Sequence, residues 1–304
     1  MARTNFQLKV GSYVGDGTDN RSITGIGFTP QWVIIKGGST SACWKTNIMK
    51  GDSSCVLAAN TANAADQIQQ FTNDGFIIGT TTVNTNGVTF YYIAGTGTNE
   101  QSYFWTGNYI GNGSDNRDFI TGGVTFVPSF VMIKANSTVA GAWATSSMSS
   151  DSTSLFSGVA NQSNYIQSLV DDGFQLGTNS VVNGNGVEYF FTAAKSYPGI
   201  ISVGTYVGNG VDDRNITGIG FSPDAIFVKN ASGSNQAMLR TSAHSGDSSE
   251  FFGATGSVPN GIQSIGTDGF QVGTNSAVNA NGSTYYWIAF KAGSFNFPIN
   301  RLTS

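Results

Sequence analysis

Short apolar runs separated by clusters of Gly, Asn, Ser and Thr fill this chain, and they follow strand length and alternation rather than helical spacing. The run Trp32-Val-Ile-Ile-Lys36, placed just after Pro30, is continuous and β-branched, which predicts a central sandwich strand. Asn86-Gly87, Asn185-Gly186 and Asn281-Gly282 supply residues that tolerate positive φ and predict type I′ hairpin tips. The aromatic runs that follow them (Phe90 to Ile93, Tyr189 to Thr192, Tyr285 to Ile288) are expected to pair back on strands starting near Phe76, Phe174 or Phe270. The mixed stretch from Gln67 to Phe71 fits a helical turn or a loop equally.

The same pattern occurs three times. Gly11-Ser-Tyr-Val-Gly-Asp-Gly-Thr-Asp-Asn-Arg21 returns as Gly107 to Arg117 and as Gly204 to Arg214, with periods of 117 − 21 = 96 and 214 − 117 = 97 residues. Each copy continues through a Phe-x-Pro step, a hydrophobic run closed by Lys36, Lys134 or Lys229, an Asp-Gly-Phe triplet and a Val-Asn-x-Asn-Gly turn. The second copy carries two extra residues between its Arg and its Phe. A repeat of about 100 residues can hold a private core. The fold expected is therefore all-β: three tandem β-sandwich, jelly-roll-like domains at residues 1–97, 98–197 and 198–304. The joints, Gly95 to Glu100 and Ser196 to Gly199, are short and polar, which favours a compact or rod-like arrangement over beads on a string.

Composition narrows the classes of function. Only 11% of residues are charged and the formal net charge is −4, so the clustered basic face of a nucleic-acid binder is not expected. Hydrophobic residues make up 39% and aromatics 12%, ample for buried cores. No apolar stretch reaches membrane-spanning length, and the opening Met1-Ala2-Arg3-Thr4-Asn5-Phe6 lacks the apolar core of a signal peptide. With Cys43 and Cys55 as the sole cysteines, free thiols are the expectation and no disulfide framework is available.

Candidate chemistry is sparse. The single histidine, His244, aligns with Met49 and Met148, which favours packing over a catalytic base. Asp74, Asp172 and Asp268 precede Gly-Phe, where Asp-Gly is ordinary turn chemistry rather than half of a glycosidase pair. The repeated loops offer a sharper reading, calcium held by Asp16 and Asp19, Asn112 and Asp115, Asn209 and Asp212, because Ca²⁺ takes closely spaced loop oxygens. The alternative is a turn whose Asp caps local N–H groups and pairs with Arg21, Arg117 or Arg214. Half of the six arginines occupy that one repeated position, where a guanidinium can tie a loop's carbonyls together or clamp a ligand. Trp44 and Trp143 align with each other and with Leu239; as surface aromatics they would stack on sugar rings, whereas the Leu speaks for core packing.

The repeated line Gly-x-Tyr-x-Gly-x-Gly…Arg, with Phe-x-Pro…Val-x-x-Lys, Asp-Gly-Phe-x-x-Gly and Val-Asn-x-Asn-Gly, resembles β-modules of bacteriophage tail fibres and other virion surface proteins over Gly11 to Lys291. The resemblance implies a non-enzymatic structural protein of the virion surface, a capsid decoration or tail-associated fibre component, made in the host cytoplasm. Its implied partners are other virion proteins, with no nucleic acid, membrane or obligatory cofactor. A host-surface glycan-binding adhesin is the alternative. The chain shows no coiled-coil or collagen-like shaft, and three pseudo-equivalent modules suggest either mimicry of a trimer or homo-oligomeric assembly.

Overall fold

The computed structural model describes residues 4–80, 82–97, 103–120 and 126–297. The first module contains β1 (Thr4–Val14), β2 (Arg21–Ile23), β3 (Trp32–Gly37), β4 (Cys43–Thr46), β5 (Cys55–Val56), β6 (Ile68–Thr72), β7 (Gly75–Ile78) and β8 (Thr89–Thr96). These form two antiparallel sheets, β1-β8-β3-β4-β5 and β2-β7-β6. The second and third modules repeat the five-plus-three arrangement, as in the order Ile201–Val207, Thr284–Phe290, Ala225–Asn230, Met238–Thr241, Glu250–Phe251. The protein is thus all-β, with three β-sandwich modules related by internal repeat.

The aromatic strand does not pair where adjacency in sequence suggests. β8 lies between β1 and β3, with Ile93 opposite both Val10 and Ile34, while the Phe76 strand β7 pairs with β2 and β6. The Asn-Gly step is correspondingly no type I′ hairpin tip. Val187 N–H closes a turn on the Gly184 carbonyl at 3.2 Å, and within the pair only Gly186 has positive φ, at 75°, which is a type II pattern. In the second and third modules a one-turn helix, Ser180–Asn183 or Ser276–Asn279, precedes that turn and is capped by the Asn179 or Asn275 side chain. In the stretch from Gln67 to Phe71, the residues from Ile68 onward belong to the bulged edge strand β6.

β3 is buried at every position because both its faces are covered. Val33 and Ile35 face the module's own core with Phe76, Ile78 and Phe90, closed by the three-stranded sheet. Trp32 and Ile34 face the opposite way, into a second core to which all three modules contribute. There Trp32 packs on Phe104 of the second module at 5.0 Å and on Phe290 of the third at 6.4 Å, and Phe156 meets Phe252 at 4.7 Å.

The same backbone hydrogen bond closes every seam. Ala42 N–H donates to the Phe252 carbonyl (2.7 Å), Gly141 N–H to Leu57 (2.7 Å) and Ala237 N–H to Phe156 (3.1 Å). First meets third, second meets first and third meets second, so the modules form a closed pseudo-threefold ring rather than a rod. Gly293–Phe297 completes it by pairing antiparallel with β1, from Thr4 opposite Phe297 to Leu8 opposite Gly293. Of the joints, Thr98 to Glu100 lies outside the described residues.

Candidate functional site

The repeated loops are built around an asparagine that sequence reasoning passed over. Asn84, Asn183 and Asn279, the first Asn of each Val-Asn-x-Asn-Gly turn, are fully buried. Each side-chain oxygen accepts from the backbone N–H of Asp16, Asn112 or Asn209, at 3.0 Å in every copy. Each amide nitrogen donates back across the loop, to the carbonyl of Thr18, Ser114 or Val211. The first Asn was visible in the motif, but only the second, beside Gly, carries an obvious turn signal.

Arg21, Arg117 and Arg214 close the same cluster. Their Nη1 groups donate to the carbonyls of Val14, Ile110 and Val207 at 2.5–2.9 Å and to the buried Asn at 3.1–3.3 Å. Each guanidinium also lies over the ring of Tyr13, Tyr109 or Tyr206, 5.4–5.6 Å from its centroid. These tyrosines donate to the carbonyls of Val83, Val182 and Val278, and burial raises their hydroxyl pKa values well above the usual range. The arginines therefore tie their own loop to the short turn behind it.

Among the loop acids, only Asp16 pairs with its arginine, at 3.2 Å, since Asn112 and Asn209 replace it elsewhere. Thr18 N–H and hydroxyl donate to Asp16 and hold its carboxyl below the usual range. Asp19, Asp115 and Asp212 each accept from a glutamine amide, Gln69, Gln167 or Gln263, at 2.9–3.0 Å. Among the described residues no three His, Cys, Asp or Glu side chains gather in one place. Two of the Asp-Gly-Phe aspartates have a similar local task. Asp74 and Asp268 accept from the N–H groups of Gly25 and Gly27, or Gly218 and Gly220, all four glycines at positive φ.

Of the two readings of Trp44 and Trp143, sugar platform and core packing, the structure has the second. Both are fully buried in the shared core, where Leu239 takes the third place, so neither indole presents a face to a ligand. His244 is buried as well. It stacks on Tyr91 of the first module at 3.5 Å, its Nδ1 accepts from Thr241 N–H, and burial beside Arg240 pushes its pKa down to about 3, leaving a neutral imidazole. Cys43 and Cys55 are free and buried; they sit out of register, Cys43 opposite Val56 and Cys55 opposite Trp44.

One recess recurs on the outside. In the first module a groove of about 560 Å³ runs between the end of β4, the following turn and β6, past Asn47, Asp52, Gln69 and Phe71. In the second a smaller one, about 210 Å³, occupies the equivalent place beside Ser146, Gln167 and Leu169. In all three modules the Gln amide nitrogen is engaged while its oxygen is buried without a partner. The signal in the sequence is a Gln five residues before each Asp-Gly-Phe.

The geometry defines a single-chain, pseudo-trimeric ring of β-sandwich modules. The chain belongs to a family described as a domain of unknown function, DUF7483, whose profile matches residues 5–100 and 199–297. The second module, between those spans, carries the same Tyr109, Arg117 and Asn183 cluster. No curated protein and no solved structure matches the chain.

Proposed function

We infer that this protein is a non-enzymatic structural component of a bacteriophage particle surface, a capsid decoration or tail-associated fibre part. The observation that carries the reading is the closed ring, which presents equivalent surface positions three times from one chain. Val14, Ile110 and Val207 illustrate it: large apolar side chains at one repeat position, each about half exposed (54%, 53% and 55%). Single exposed aliphatics are ordinary. Three at equivalent places match a partner with threefold character, as a trimeric fibre or a local threefold axis of a capsid has. The phage setting itself rests on the resemblance of the repeated motifs.

Gold-labelled antibody against the full chain, applied to intact particles from the source lysate, tests this. Label on heads, or on tails and fibres, supports a surface component and fixes its place. Particles that carry the protein in no position overturn the reading.

A further inference from the structure

The groove of the first module has a chemistry its counterparts lack. Lys45, Asn47, Gln70 and Phe71 border it, where the second module has Ala144, Ser146, Ser168 and Leu169 and the third Arg240, Ser242, Ser264 and Ile265. The loop, the seams and the cores need none of these differences, since the second and third modules fold without them. The ring of Phe71 is half-buried at the wall, and Asn47 and Gln70 are exposed.

Several hydrogen-bonding valences there are left over. Asn47 Oδ1 accepts from Thr106 of the second module at 3.2 Å, which holds the amide in place and leaves its NH₂. The buried Lys45 ammonium gives two bonds, to the carbonyls of Gly51 (2.9 Å) and Ser53 (2.5 Å), of the three it can donate. The nearby Asp52 carboxylate offsets its charge. Gln69 is locked by Asp19 at the back of the groove, its oxygen buried as in the other two modules, while the Gln70 amide is exposed. Exposed amides at Asn47 and Gln70 with little net charge around them, beside an aromatic edge, match a ligand whose hydroxyls both donate and accept and whose ring carries an apolar C–H face. The volume falls in the range of small-molecule sites, roughly 300–1,000 Å³.

We propose that this groove binds a neutral saccharide, with Phe71 as the stacking wall and Asn47 and Gln70 as the hydroxyl partners. The site belongs to the first module, so the ring carries one such site rather than three. It is independent of where the protein sits on a particle: either conclusion can fail without the other.

The test uses the full chain on a printed array of neutral hexose and N-acetylhexosamine oligosaccharides, followed by calorimetric titration with the strongest binder. Phe71→Leu and Gln70→Ser install the second module's own residues, so the fold has already accommodated them at the equivalent place. Each variant should weaken binding roughly tenfold, and amide NMR shifts on titration should centre on Asn47, Gly51 and Gln70. The proposal is overturned by an array with no neutral binder, by binding confined to anionic glycans, by unchanged affinity in both variants, or by shifts that fall elsewhere on the ring.

Discussion

Lys229 is the sharpest probe of how the seams are built. Three lysines end equivalent strands and are all fully buried, but they meet different neighbours. Lys36 reaches across its seam to Glu250 at 3.0 Å and to the Thr255 carbonyl, and Lys134 reaches the Thr61 carbonyl at 2.9 Å. Lys229 bonds within its own module, to the carbonyls of Asn230 (2.7 Å) and Gly233 (3.5 Å). Burial accordingly pushes its pKa from 10.5 to about 8. A lysine depressed in the folded state binds fewer protons there than when unfolded, so its penalty is complete below the folded value and fades as pH rises toward the unfolded one. At about 1.4 kcal/mol per unit, the penalty at pH 7 is about 3 kcal/mol, and about 2 of it is relieved by pH 9.5.

Lys229→Met removes the buried charge at similar volume. It also strands the Asn230 carbonyl, which costs about 1 kcal/mol. The variant should therefore be more stable than the parent by about 2 kcal/mol at pH 7, and the gap should nearly close at pH 9.5. Guanidinium unfolding of both proteins at the two pH values, followed by tryptophan fluorescence, measures it. Taking the difference between the proteins cancels the other buried lysines, and staying below pH 10 keeps the buried tyrosines out of the window. A variant less stable than the parent by the same amount at both pH values would refute the reasoning.

Asn183→Ala removes the hub of one loop, leaving the backbone N–H of Asn112 and the carbonyls of Ser114 and Gly177 unpaired, and should cost about 3 kcal/mol in chemical denaturation. Trp143→Ala should cost about 3–5 kcal/mol, because the indole fills the shared core; a surface aromatic would lose almost nothing. Cys43, with its thiol pushed up to about 11 by burial, and Cys55, raised further by the same cause, should resist thiol reagents in the folded protein and both react in denaturant. Ending the chain at Ala292 uncovers the edge of β1 from Thr4 to Leu8; size-exclusion chromatography should then show self-association, since an exposed strand edge recruits a partner.

The repeat was legible because turn chemistry is local. Arg21, Gly17 and Asp74 act within one module, and their spacing recurs with the loop they build. Strand pairing was less legible. The Phe90 strand follows an Asn-Gly turn, which invites a hairpin, but its burial on both faces requires two neighbours, and these come from β1 and β3 instead. Trp44 shows the limit most plainly. The aligned Leu239 favoured core over sugar platform, but which core was not legible, because it is assembled from all three modules. The contacts that create it join residues as far apart as Lys36 and Glu250, 214 positions along the chain, and no local pattern marks such a pair.

That shared core also separates the unit of repetition from the unit of folding. A module on its own would keep the inner layer made by Val33, Ile35 and Phe76, but it would turn Trp32, Ile34 and Trp44 out to water. Burying side chains of this size contributes about 1.5–3 kcal/mol each, a large share of the net stability of a domain this small. The third module would keep its sandwich and lose the seams at Ala237 and Phe252 as well. The hydrophobic positions that three private sandwiches would not need are those that close the ring, and Gly293–Phe297, pairing with β1, joins the strand that follows the third module to the first.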